Sequence, residues 1–192
     1  MSDSNKVDVP TEDPRADSMK RAPSLVVINT GPGKGKTTAA IGIIIRSVGR
    51  EWPVAVVQYV KSGKWQTGEE KVCRQLGVDW WAMGDGFSWD SKDLEHDKAL
   101  AADAWAHTRS LIESDKYRLV VMDEITYPIN WGWIDLDDVI NTVKTRPSKV
   151  NLVFTGRDAP QALIDVADTV SQVEVVKHAY ESGIAAKKGI DM

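Results

Sequence analysis

Hydrophobic and polar positions along the chain fall into two alternating textures. Short, β-branched apolar runs predict strands over Leu25–Asn29, Val54–Val60, Val78–Met83, Arg118–Asp123, Val150–Thr155 and Thr169–Val176. Between them, apolar residues recur at helical spacing and predict helices over Lys36–Arg50, Thr67–Leu76, Asp93–Ser114, Asp135–Thr145 and Ala159–Val166. Several strand runs are continuously apolar, as expected of parallel strands covered on both faces. Strand and helix alternating in this way predict an α/β fold, a doubly wound and mainly parallel sheet flanked by helices. Met1–Ser24 has a different texture, with Pro10, Pro14 and Pro23, many charges and few large apolar side chains. It reads as a flexible tail (1–24) ahead of a single domain (25–192).

The first predicted strand runs into Thr30-Gly31-Pro32-Gly33-Lys34-Gly35-Lys36-Thr37-Thr38 and then an apolar helix. This is close to G-x-x-x-x-G-K-[ST], the phosphate loop of nucleotide-binding proteins, with Thr30 where the pattern has its first glycine. Gly31, Gly33 and Gly35 let backbone N–H groups turn toward phosphate oxygens, and the helix N-terminus adds partial positive charge. Lys36 is expected to bridge phosphate oxygens, and the Thr37 hydroxyl to bind Mg²⁺. Such a site needs a carboxylate at the end of a second strand. Leu119-Val120-Val121-Met122-Asp123-Glu124 supplies two, and the pattern does not choose between them. These features point to a P-loop NTPase-like, RecA-like fold. Arg157, in Thr155-Gly156-Arg157-Asp158, is a candidate phosphate contact.

Composition narrows the function. The 192 residues carry a net charge of −4, which argues against a broad nucleic-acid footprint. No apolar run is long enough to span a bilayer, and no basic-then-apolar leader opens the sequence. The single cysteine, Cys73, cannot form an intramolecular disulfide and fits a cytoplasmic location. The Asn-Lys-x-Asp motif that reads guanine is absent. Eight tryptophans against two phenylalanines are unusual and suggest that some indoles face a ligand or an interface. Trp65, Trp131 and Trp133 are candidates for the mouth of the site, whereas Trp105 reads as packing. Of Trp80 and Trp81, one is expected to face the core. His96 and His107 read as solvated or packed rather than as a metal pair, and Cys73 as a packing residue.

The phosphate loop resembles that of the ATP:corrinoid adenosyltransferases of the P-loop class. Further segments match that family in order: Val57-Gln58-Tyr59-Val60-Lys61, Lys64-Trp65-Gln66-Thr67-Gly68-Glu69, Gly86-Phe87-Ser88-Trp89 and Val121 to Pro128. Thr155-Gly156-Arg157, Val176-Lys177-His178-Ala179-Tyr180 and Lys188-Gly189-Ile190 follow. The resemblance implies transfer of the 5′-deoxyadenosyl group of ATP to the cobalt(I) of a reduced corrinoid, with release of triphosphate. It implies ATP lying reversed in the loop, so that its 5′-carbon faces the corrin. It also implies the roles: Lys36 on the triphosphate, Thr37 and Glu124 on Mg²⁺, Asp123 supporting them from behind, and Gly31, Gly33, Lys34, Gly35, Thr38 and Arg157 at the nucleotide. Phe87 and Trp89 match the aromatic pair that shields one corrin face. On local pattern alone, two aromatics tucked into the core is the favoured reading of that segment, and the resemblance reverses it. Expected partners are ATP, the corrinoid, an electron-donating reductase (flavin-dependent or otherwise) and a second copy in a homodimer, with neither nucleic acid nor membrane. The alternatives are a P-loop ATPase or small-molecule kinase, and a non-catalytic carrier. Pro32 departs from the asparagine often found there, and Met192 from a common terminal aromatic.

Overall fold

The structure is a computed structural model that describes residues 11–12, 19–62, 66–84 and 93–191. Six strands form one sheet: β1 (Val26–Thr30), β2 (Val54–Ser62), β3 (Asp79–Gly84), β4 (Leu119–Asp123), β5 (Asn151–Thr155) and β6 (Thr169–Gln172). Their order is β3-β2-β4-β5-β1-β6, and every neighbouring pair is parallel. The helices are α1 (Lys36–Val48), α2 (Gly68–Gln75), α3 (Leu94–Glu113), α4 (Thr126–Asn130), α5 (Leu136–Thr145) and α6 (Gln161–Ile164).

The apolar runs are continuous because successive side chains serve two different layers. Ala55, Val57, Val120, Met122, Leu152 and Phe154 enter one core cluster with Ala104, Trp105 and Ile112 of α3 and Val139 of α5. Their neighbours Val54, Val56, Leu119, Val121 and Val153 enter the other, with Ala40 and Ile44 of α1 and Cys73 of α2. A polar residue within these runs is therefore driven deep into a layer unless it lies at a strand end.

Two expectations shift. The sequence carries the last strand to Val176, but pairing with β1 stops at Gln172, beside Thr30. Beyond it the chain follows the phosphate loop: Thr30 C=O accepts from Val173 N–H at 2.8 Å, and Gly33 N–H donates to Val173 C=O at 2.7 Å. The one-turn-and-a-half helix α4 has no counterpart in the predicted elements. Pro128 lies inside it, which hides a short helix from a periodicity reading.

Among the tryptophans, Trp80 is buried, and Trp81 packs edge-on against His107 with ring centroids 4.7 Å apart. Trp105 is buried and donates its indole N–H to Asp138 at 2.7 Å. Cys73 is a buried packing residue, as expected. Among the described residues, no helix is long and apolar enough to cross a membrane.

Candidate nucleotide and metal site

All strands run the same way, so residues at or just beyond the C-terminal ends of β1, β2, β4 and β5 converge on one edge of the sheet, where ligands of open α/β sheets bind. Here they line a cleft of about 890 Å³, within the range that encloses a substrate-sized molecule. Its walls include Gly33, Lys34, Gly35, Lys36, Thr37 and Thr38 of the phosphate loop, together with Lys61, Glu124, Tyr127 and Arg157. The structure thus brings together nearly the whole set expected from sequence. Gly31 lies behind the wall, buried against Val173. Phe87 and Trp89 lie outside the described residues, as does Trp65. Trp131 stacks on Tyr127 at 5.7 Å and meets Trp133 at 4.6 Å, so an aromatic cluster continues outward from the cleft wall.

Gly35 is the N-cap of helix α1, and its φ of 124° is a conformation that L side chains rarely adopt. No side chain caps this helix and no acidic residue occupies its first turn. By contrast, Thr67, Asp93 and Asp135 cap α2, α3 and α5. The N–H groups at the start of α1 are therefore available to an anion, and its dipole favours one. Gly31 and Gly33 have a different task from Gly35. A Cβ at Gly33 would come within 2.6 Å of Glu174 C=O, and one at Gly31 within 2.5 Å of Val173 C=O. These two glycines let the C-terminal chain close against the back of the loop. Thr30, the departure from the pattern, is nearly buried, and its hydroxyl accepts from Ala159 N–H at 3.1 Å. It ties the loop to the segment after β5.

Lys36 reaches back over the loop and donates to the carbonyls of Gly31 and Gly33, both at 2.7 Å. Burial, and then repulsion from Arg157, lower its pKa from the usual lysine value. Lys34 pairs with Asp191 at 3.1 Å. That contact brings the C-terminal segment to the cleft, where His178 also lies. The His178 Nδ1 accepts from Tyr180 N–H at 3.2 Å and caps a short 3-10 turn.

The two carboxylates divide their roles. Asp123 is buried and engaged on both oxygens: Oδ1 accepts from Thr37 at 2.8 Å and from Thr155 at 2.7 Å, and Oδ2 accepts from Gln58 at 2.9 Å. The Lys61 ammonium stands 3.7 Å from Oδ2. Glu124 faces the cleft at a φ of 64°, and its Oε2 is buried with no hydrogen-bond partner among the described residues. Burial, then the neighbouring Asp123 charge, push its pKa up to about 7. An orphaned carboxylate oxygen and the Thr37 hydroxyl in one cleft form an all-oxygen donor set of the kind Mg²⁺ takes. Among the described residues no group of three or more His, Cys, Asp and Glu side chains could cage a metal, and Mg²⁺, which keeps several waters, does not need one.

Thr155 carries no motif role at the level of sequence. It ends β5, the strand between β1 and β4, with its hydroxyl donating to Asp123 and accepting from Glu124 N–H at 2.9 Å. Replacing it by valine keeps the shape but leaves a buried N–H unpaired and removes one donor from Asp123. The expected cost is about 3 kcal/mol, or a fall of roughly 6–12 °C in melting temperature, read by calorimetry. A fall below about 2 °C would mean that other groups replace both bonds. Gly156 follows at a φ of 141°, where a Cβ would overlap Thr126 Oγ1. That same hydroxyl donates to Arg157 C=O at 2.6 Å and fixes the turn that carries Arg157 to the cleft.

Comparison with known proteins supplies the remaining constraint. Residues 22–192 match the family model described as ATP:corrinoid adenosyltransferase BtuR/CobO/CobP. The corrinoid adenosyltransferase of Escherichia coli (strain K12) is 36% identical over 167 residues, covering 87% of this chain and 85% of that protein. Corrinoid adenosyltransferase CobA of Salmonella typhimurium is 36% identical over 179 residues, 93% of this chain and 91% of that one. A corrinoid adenosyltransferase of Sinorhizobium sp is 37% identical over 171 residues, 87% and 79% respectively. With the phosphate loop, the carboxylate pair and the parallel sheet in place, the chain belongs to the ATP:corrinoid adenosyltransferase BtuR/CobO/CobP family.

Proposed function

We propose that this corrinoid adenosyltransferase holds the triphosphate of ATP with Lys36 and the N-terminus of α1, with Lys34, Thr38 and Arg157 alongside, and takes Mg²⁺ on Thr37 and Glu124. Phe87 and Trp89 cover one face of the corrin. The observation that carries this reading is the convergence of Lys36, Thr37, Glu124 and Arg157 on one cleft beside an uncapped helix N-terminus.

The chemistry sets what the residues must do. The electron pair of cobalt(I) attacks the 5′-carbon of the ribose, a cobalt–carbon bond forms, and the carbon–oxygen bond to the triphosphate breaks with its electrons going to the departing oxygen. Cobalt(I) carries no proton to remove, so no general base is required. The demand falls on the leaving group, where negative charge builds. Lys36 and the backbone N–H groups of α1 offer fixed donors for it, and Lys61 and Arg157 add positive charge to the same cleft. When bound, Mg²⁺ would supply further charge neutralisation on the phosphates. Alignment of cobalt with carbon is the remaining task, and it calls for a rigid cleft.

Incubating ATP with chemically reduced corrinoid tests the reading. Triphosphate and a cobalt–carbon bond are expected. ADP and phosphate would instead indicate an ATPase or kinase, and binding without turnover a carrier. Shielding by Phe87 and Trp89 predicts a split between starting states. Loss of water and of the lower axial ligand eases reduction of cobalt(II), so Phe87→Ala and Trp89→Ala should lower turnover by about tenfold more from cobalt(II) than from cobalt(I), about 1.4 kcal/mol. Equal activity from both states in both variants would overturn it. Action as a homodimer in the cytoplasm, with a separate reductase supplying the electron, completes the proposal.

A further inference from the structure

We propose that Gln58 and Trp80 form a buried relay that positions Asp123, and through it Thr37, for the cation that accompanies ATP. The inference rests on the reading of Thr37 and Glu124 as the metal end of the site.

Gln58 interrupts the apolar run of β2, yet it is only 1% exposed. An amide buried there without partners would be costly, and an apolar side chain would fill the same space. Its partners explain it. Strand register sets Gln58 directly beside Asp123 of β4, and Trp80 on β3 beside Val56, two residues back on the same face of the sheet. The Trp80 indole N–H donates to Gln58 Oε1 at 3.1 Å. An indole can only donate, so the amide oxygen must face Trp80 and the NH₂ must face Asp123. That NH₂ donates to Asp123 Oδ2 at 2.9 Å.

The consequence falls on Thr37. With Gln58 on one oxygen and Thr155 and Thr37 on the other, Asp123 is surrounded by donors and its plane is fixed. The Thr37 proton is committed to Asp123 at 2.8 Å, which leaves the hydroxyl's lone pairs for a cation in the cleft. Groups behind a metal ligand orient it in this way. The relay runs from the edge strand β3 through β2 and β4 to the start of α1.

The test uses the full chain and four proteins: wild type, Gln58→Met, Trp80→Phe and the double variant. Calorimetry gives the affinity for ATP with and without Mg²⁺, and melting temperature is recorded for each. The expected result is that the gain in ATP affinity from Mg²⁺ drops by about tenfold in Gln58→Met, while affinity for metal-free ATP stays within about twofold. Trp80→Phe leaves the Gln58 amide oxygen without its donor, loosens the side chain and is expected to lose part of the same gain. If Trp80 acts through Gln58, the double variant matches Gln58→Met rather than compounding the two losses. Trp80→Phe keeps an aromatic ring in the layer while removing the N–H donor, and decides the matter even if Gln58→Met fails to fold. Either an undiminished Mg²⁺ gain in Trp80→Phe, or parallel losses in metal-free and metal-bound affinity that track melting temperature, would overturn the relay alone. A wild-type protein whose ATP affinity gains nothing from Mg²⁺ would overturn the metal reading, and the relay with it.

Discussion

Replacing Lys36 by alanine is expected to lower adenosyl transfer by about a thousandfold, mainly in kcat, with the fold intact. The ammonium makes two 2.7 Å bonds to carbonyls of its own loop, so it is already held within the phosphate cradle. It lies half-buried, and burial and Arg157 both act against its charge. A triphosphate would remove that penalty, because the anion offers what the carbonyls offer only in part. The benefit grows as the carbon–oxygen bond breaks and charge accumulates on the leaving group, which is why the loss should fall on kcat. Lys36→Arg keeps the charge but not the compact donor geometry and is expected to recover only part of the activity. Steady-state kinetics in ATP decide the point. A raised KM with unchanged kcat would mean that Lys36 holds substrate and transition state equally well.

The strands and the loop were legible because their signals are local. Each apolar run that predicted a strand is a strand, and the Gly-Lys-Thr sequence sits where a strand passes into a helix. From the local pattern Asp123 and Glu124 were legible only as a pair, and their separate roles came from the family resemblance alone. The difference between them depends on Gln58, Thr155 and Thr37, which come from three other elements, and strand order is not written in any one segment. Gln58 did carry a signal. A glutamine within VAVVQYV, a run too apolar for an exposed face, needs a buried partner. Gly31 and Gly33 read as phosphate contacts because the motif carries that meaning, and the fold adds a second demand for glycine there, since a Cβ would meet the backbone of Val173 and Glu174. That packing joins residues more than a hundred positions apart, and no local pattern could reveal it.

Glu124→Gln should separate two consequences of one buried carboxyl. In the folded chain burial, and next the Asp123 charge, push its pKa up to about 7 from the ordinary glutamate value of 4.5. A raised carboxyl pKa means that the neutral form favours folding. Its stabilising contribution is complete below about pH 4.5 and is lost as pH rises through about 7, amounting to on the order of 3 kcal/mol. Glutamine stays neutral, so the ligand-free variant is expected to melt above the wild type at pH 8 and close to it at pH 5. Metal binding runs the other way, since a cation needs the ionised form. The Mg²⁺-dependent part of ATP binding in the wild type should therefore strengthen as pH rises from 6 and level off above about 7, with proton release at the lower end. In Glu124→Gln that pH dependence should vanish, and transfer should fall by roughly a hundredfold. Melting curves at the two pH values and calorimetry in buffers of different ionisation enthalpy measure both. A variant that melted below the wild type at pH 8 would show that the charged carboxylate is paid for by contacts within the folded chain. A variant that kept the Mg²⁺ response would show that the cation rests on other groups. The burial and the Asp123 repulsion that raise this pKa are what a cation would relieve, at an oxygen, Oε2, that has no hydrogen-bond partner among the described residues.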